Sequence, residues 1–195
     1  MAKKPFIIGG VIWPDQETQR SVNEIRKRWD PHFTVIAPHI TIIFPTDTEA
    51  VLQDVIVRVT NAVEGFRRFT ARLDRVSSVN LLAPDWPAAT SALLAYPNAV
   101  NAIFLLSGEG TREILELKER LGVALELDTP LIQYPPYLTL GQTLSDRDYG
   151  AALNELSGHA PDHEFSVAGF DLLTQDDSGG WQTARTFPFS QAEIC

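Results

Sequence analysis

Two short runs carry side chains able to do acid–base chemistry. The first is Pro38-His39-Ile40-Thr41-Ile42-Ile43-Phe44-Pro45, and the second is Pro136-Tyr137-Leu138-Thr139-Leu140-Gly141. In an extended strand, residues two apart share a face. His39 and Thr41 therefore stand together, as do Tyr137 and Thr139, each pair backed by apolar residues on the opposite face. Imidazole, with a reference pKa near 6.5, can give or take a proton at neutral pH. Threonine hydroxyls can donate to phosphate oxygens and hold developing charge in place. The phenol of Tyr137 donates hydrogen bonds, but with a reference pKa near 10 it is a very poor base.

The His-x-Thr triplet alone decides little. Four His and 15 Thr in 195 residues would supply about 0.3 such triplets by chance. A second one, His32-Phe33-Thr34, sits in the expected loop before the strand. The discriminating features are the strand context, the flanking prolines and a counterpart 98 residues further on.

That offset recurs along the chain. Tyr137 follows His39 by 98, Thr139 follows Thr41 by 98, and Phe104-Leu105-Leu106 follow Phe6-Ile7-Ile8 by 98. Hydrophobic periodicity then gives the same order of elements twice. In the first half, a strand covers Phe6 to Trp13, a helix runs from Pro14-Asp15 to about Arg28, and the His39 strand follows. Asp47 is expected to cap a helix through about Val63, and Phe69 to Leu73 to form a strand. In the second half, Ala102 to Leu106 is a strand, Thr111 to Leu121 a helix, and the Tyr137 strand is next. Ser145-Asp146 caps a helix to about Leu156, and Phe165 to Leu173 forms one strand. A turn at Asp176–Gly180 feeds a last strand, Trp181 to Phe189. Between the halves, a short helix is expected around Ala88 to Leu94. The expected arrangement is a single bilobal unit of two β-α-β-α-β lobes, approximately residues 5–80 and 100–190, related by a pseudo-twofold axis.

Composition narrows the partners. The net charge of −9 is uneven, at +2 over residues 1–80 and −11 over 81–195. So acidic a chain is not expected to hold long nucleic acid through its phosphates. A short RNA end or a small phosphoester remains compatible. The single cysteine, Cys195, allows no internal disulfide, which favours a reducing compartment. The apolar stretch after Lys3-Lys4 lacks a small-residue cleavage site and reads as a buried strand rather than a leader. No run approaches the ~18 apolar residues of a membrane span. The expected location is the cytoplasm.

On Pro38-His39-Ile40-Thr41-Ile42-Ile43-Phe44-Pro45, the spacing, and Pro136-Tyr137-Leu138-Thr139-Leu140-Gly141, the chain resembles the two-histidine phosphoesterase superfamily. This is the group of 2′-5′ RNA ligase-like and cyclic nucleotide phosphodiesterase proteins, and the resemblance covers nearly the whole chain. It implies an α+β fold, with antiparallel-rich sheets flanking a central cleft. It also implies metal-independent chemistry, without cofactor, on a 2′,3′-cyclic phosphate or a 2′-5′ linked end. His39 and Thr41 would form the first catalytic pair, and Thr139 would belong to the second. Tyr137 departs from the pattern, standing where the superfamily carries its second histidine. It would serve as a weak acid in an impaired enzyme, or as filler in a degenerate nucleotide-binding or phosphate-binding module.

Other candidates read more plainly. Arg67, Arg68, Arg72 and Arg75 form the densest basic group, a solvated strand edge from which Arg72 is the candidate to meet a substrate phosphate. His159 and His163 are expected in an exposed loop, and with His32 they lack metal-ligand spacing. Ser107-Gly108-Glu109-Gly110-Thr111 lacks the Gly-Lys-Ser/Thr ending of a phosphate loop and reads as a turn before a helix.

Overall fold

The computed structural model describes residues 6–80, 101–127, 135–142, 144–158 and 161–191. In chain order its elements are β1 (Phe6–Ile12), α1 (Gln16–Trp29), β2 (Ile40–Thr48), α2 (Leu52–Ala62), β3 (Phe69–Asn80), β4 (Asn101–Ser107), α3 (Thr111–Leu125), β5 (Tyr137–Gly141), α4 (Asp146–Gly158), β6 (His163–Val167), β7 (Gly169–Gln175) and β8 (Trp181–Pro188). The helix expected around 88–94, and His159, lie outside the described residues.

The strands form one sheet in the order β6-β3-β4-β5-β2-β1-β7-β8, and every pairing between neighbours is antiparallel. The two halves meet at β2 and β5, where Ile40 pairs with Leu138. These two residues are themselves 98 apart, so the axis relating the halves passes between them. The halves do not keep separate sheets. β3, from the first half, pairs with β4, while β7, from the second, pairs with β1. Exchanging β3 and β7 makes one continuous core that draws buried Ile, Leu, Val and Phe from both halves.

The sheet is curled, and its connectivity requires this. β6 and β7 stand near opposite ends of the strand order, yet only Ala168 separates them. Two Cα–Cα steps cover less than about 7.6 Å, so the ends of the sheet must approach each other. Arg67 bridges to Ser190 at that seam, and Phe66, Phe69, Phe170 and Phe189 fill it.

Two expectations are corrected. Asp47 does not cap a helix, because it lies in β2 opposite Ile7. Helix α2 starts at Leu52, with Val51 as a cap that makes no side-chain bond. Thr46 and Thr48 favour a strand, and with Asp47 between them they gain ladder partners in β1, a pairing that overrides the local capping preference of Asp47. Phe165 to Leu173 is likewise two strands, since the chain switches sheet ends at Ala168. Elsewhere Asp15 caps α1 by accepting from the Thr18 amide at 2.8 Å, and Ser145 accepts from the Asp148 amide at 3.1 Å as α4 begins. Gly110 takes φ +80° at the turn into α3.

Helix α1 lies across β5 from the other half. Gly141 permits that approach: a Cβ there would fall 2.9 Å from both the Cβ and the carbonyl oxygen of Trp29. Gly141→Val should therefore push α1 off the sheet and lower unfolding stability by about 1–3 kcal/mol in urea titrations. A change within ordinary surface scatter would show that the contact yields freely.

Candidate active site

The polar faces of the two central strands converge. The two strands touch at the single pair Ile40–Leu138, and alternation places His39 and Thr41 on one flank of that pair and Tyr137 and Thr139 on the other. Ile40, Leu138 and Leu140 are fully buried beneath them, while His39, Thr41, Tyr137 and Thr139 are each partly exposed. All four line one cavity of about 150 Å³. Two rows of hydrogen-bonding groups thus face a shared space from a rigid apolar base.

The remaining wall comes from three places. Gly9, Gly10 and Val11 of β1 form one side, with Leu173 and Trp181 beyond them. The Trp181 ring lies over Gly9, where a Cβ would come within 3.1 Å of it. Val35 and Ile36 contribute from the segment before β2, and Phe44 and Pro45 from β2 itself. Arg26, Asp30, His32 and Gln142 complete the polar part.

His39 is held in a defined state. Its Nδ1 lies 2.8 Å from the Ala37 carbonyl oxygen. That oxygen can only accept, so Nδ1 carries the proton and Nε2 keeps a lone pair. The Trp13 ring meets the imidazole edge-on, 5.8 Å between centroids. Trp13 Nε1 in turn donates to Asp171 Oδ2 at 2.9 Å, which fixes the indole. Enclosure by protein pushes the His39 pKa down from 6.5 to about 4; the Ala37 hydrogen bond and Asp30 oppose that shift, while Arg26 adds to it. His39 is therefore neutral at pH 7, with Nε2 as its unprotonated nitrogen.

Beside it sits a buried ion pair that the sequence reading did not single out. Arg26 and Asp30 are 3% and 2% exposed, and two guanidinium nitrogens reach Asp30 Oδ2 at 2.9 Å each. Arg26 Nη1 also donates to the Ile36 carbonyl at 2.9 Å, and Asp30 Oδ1 accepts from the His32 amide at 2.9 Å and from Gln142 Nε2 at 3.2 Å. The available signal was the i, i+4 spacing of opposite charges at the end of α1. That spacing is usual for exposed pairs, so it did not mark a buried one.

Other sequence candidates fare differently. Tyr137 lines the cavity and also rests on Phe104, with centroids 4.5 Å apart, so it serves as wall and as packing together. Arg72 is not brought to the site. It is on β3, and its Nε and Nη2 both donate to the Asp162 carboxylate, at 2.8 and 2.6 Å. His32 lines the cavity although its triplet read as a decoy. His163 is in β6 rather than in a loop, with an enclosed Nε2 that has no hydrogen-bond partner. Among the described residues, no three His, Cys, Asp or Glu side chains gather as metal ligands would. No helix among them is long and apolar enough to cross a membrane.

Comparison with known proteins bears directly on this geometry. The model of the 2′-5′ RNA ligase superfamily matches residues 14–179. The chain belongs to the 2′-5′ RNA ligase superfamily. Within this two-histidine, phosphoesterase-type group, a Bacillus pumilus protein named "Putative phosphoesterase" is 31% identical over 182 residues, covering 92% of this chain and 95% of that one. A Bacillus cereus protein of the same description is 30% identical over 181 residues, with the same coverage. Among solved structures, Escherichia coli LigT complexed with phosphate superposes with a TM-score of 0.61 at 14% identity, covering 97% of this chain and all of LigT. TT0787 of Thermus thermophilus gives 0.60 at 15% identity, covering 94% and 97%. The fold of this superfamily member is therefore that of LigT, a mixed α+β fold around a curled antiparallel sheet.

The His39 environment makes a prediction about stability. Its folded pKa, about 4, lies below the unfolded value of 6.5. The unfolded chain thus binds more protons between those values, and the stability present above pH 6.5 is lost as pH falls towards 4. Urea unfolding of His39→Gln should show a flatter pH dependence across this window than wild type. Parallel curves would mean that the imidazole titrates normally.

Proposed function

We propose that this protein is a phosphoesterase acting on a 2′,3′-cyclic phosphate or a 2′-5′ linked RNA or nucleotide end, by acid–base catalysis that needs no metal. The observation that carries this reading is the convergence of His39, Thr41, Tyr137 and Thr139 on one small cavity across the Ile40–Leu138 pair. Its volume is below the ~300–1,000 Å³ of sites that enclose a drug-sized ligand. It suits a phosphoryl group, with the rest of the substrate extending outward. Superfamily membership supports the same class of substrate, as do LigT structures solved with phosphate and with 3′-AMP.

In this reading the phosphoryl group lies over the two strands, and the Thr41 and Thr139 hydroxyls donate to its non-bridging oxygens. His39 Nε2 takes a proton from an attacking water as its oxygen bonds to phosphorus. The bond from phosphorus to the departing sugar oxygen breaks, and that oxygen receives a proton from the Tyr137 hydroxyl or from solvent. A bound phosphodiester anion beside the imidazole favours its protonated form. The base is therefore stronger in the complex than in the free protein.

A second reading, a phosphate- or nucleotide-binding module without turnover, is favoured by the packing of Tyr137 on Phe104. Turnover of 2′,3′-cyclic nucleotides separates the two. His39→Ala should lower kcat by ~10²–10⁴, and Tyr137→His should raise it by supplying an acid. The acid limb of kcat/KM should fall near pH 4, following free His39, and that of kcat at higher pH. If His39→Ala matches wild type and Tyr137→His brings no gain, the catalytic reading fails. Saturable binding without product would then favour the binding module.

A further inference from the structure

Between Asp30 and His39 the chain has no strand or helix of its own, yet it must deliver the imidazole with its Nδ1–H on the Ala37 carbonyl. Two turn bonds of its own, Phe33 N–H to the Asp30 carbonyl at 3.1 Å and Val35 N–H to the His32 carbonyl at 2.9 Å, order its first half, and the stretch leading to Ala37 is held from outside. The Arg26–Asp30 pair touches it at both ends: Asp30 Oδ1 accepts from the His32 amide, and Arg26 Nη1 donates to the Ile36 carbonyl, one residue before Ala37. Asn23 Oδ1 accepts from Arg26 at 3.2 Å, which fixes the guanidinium to α1. Gln142 ties the carboxylate to the end of β5, and its own amide donates to the Trp29 carbonyl at 3.2 Å.

We propose that Arg26, Asp30 and Gln142 are the positioning residues of the site: they clamp segment 30–39 so that Ala37 receives the His39 Nδ1–H and Nε2 is left for the substrate. This inference rests on the role given to His39 above. The pair runs from helix α1 to the β5 side of the cavity, so it also locks the first half of the molecule to the second. Burial gives the clamp its rigidity, because a carboxylate with four donors and a guanidinium with fixed acceptors have no solvent to exchange with. The charged or titratable groups around His39 are Arg26 and Asp30 from α1 and its end, His32 from the segment, and Tyr137 from β5. Asp171 of β7 lies one step behind Trp13.

The decisive variant removes both charges at once, Arg26→Met with Asp30→Leu, so that neither is left buried and unpaired. Imidazole nitrogen NMR reads the tautomer of His39 without any need for turnover. Wild type should show a single Nδ1–H form at pH 7. The double variant should show mixed tautomers, with kcat on 2′,3′-cyclic nucleotides reduced about 10²-fold, the usual cost of misplacing a reacting group, and KM within twofold of wild type. Asp30→Asn should shift both readouts the same way, whereas Lys27→Ala, on the exposed side of α1, should change neither. If the double variant does not fold, Gln142→Ala carries the test, with partial tautomer mixing and a kcat loss of about tenfold.

A folded double variant with a pure Nδ1–H imidazole and wild-type kcat overturns the proposal, as does a wild-type imidazole that is not Nδ1–H. A wild-type protein without turnover instead overturns the preceding function, and the tautomer measurement still decides the clamp.

Discussion

The meeting of β2 and β5 at Ile40 and Leu138 is the contact on which the remaining architecture depends. Two strands that each alternate polar and apolar residues pair there with their apolar sides down. The buried side chains fix the register, because a slip of one residue would turn every polar group into the core. Alternation about that one pair leaves His39, Thr41, Tyr137 and Thr139 lining the same cavity. Since the paired residues are equivalent positions of the two halves, the cavity lies on the axis that relates them. Site and symmetry are one feature of the fold.

Exchange of β3 and β7 between the halves makes this arrangement stiff. With β3 beside β4 and β7 beside β1, neither half can swing away without breaking a ladder in the other. The one-residue link at Ala168 adds closure, drawing the two ends of the sheet together over an aromatic cluster. A cavity on such a base has little freedom to change shape. That suits a reaction in which the protein's contribution is placement and charge stabilisation.

Electrostatics at the site are local. The second half of the chain carries a net charge of −11, and nothing in that field favours a phosphate. What the cavity offers an anion is two threonine hydroxyls and a neutral imidazole, while the buried Arg26 guanidinium is turned to Asp30, Asn23 and the Ile36 carbonyl. Enclosure that keeps His39 uncharged leaves its lone pair available at neutral pH.

Most of the strand and helix order, and the four residues His39, Thr41, Tyr137 and Thr139 that come to line one cavity, were legible from residue types and spacing, because periodicity and repetition are local properties of a sequence. Pairing was not. The exchange of β3 and β7, the break at Ala168 and the extension of β2 through Asp47 depend on which strand lies alongside. A capping preference worth about 1 kcal/mol yields to a complete ladder. Arg72 looked free to meet a phosphate until Asp162, 90 residues away, proved to hold it. Nothing in the sequence singled out Arg26 and Asp30, and they became a buried pair only when α1 lay across β5. Burial and long-range partners exist only once the chain has closed on itself, and they decide which polar residues hold the site and which merely face water.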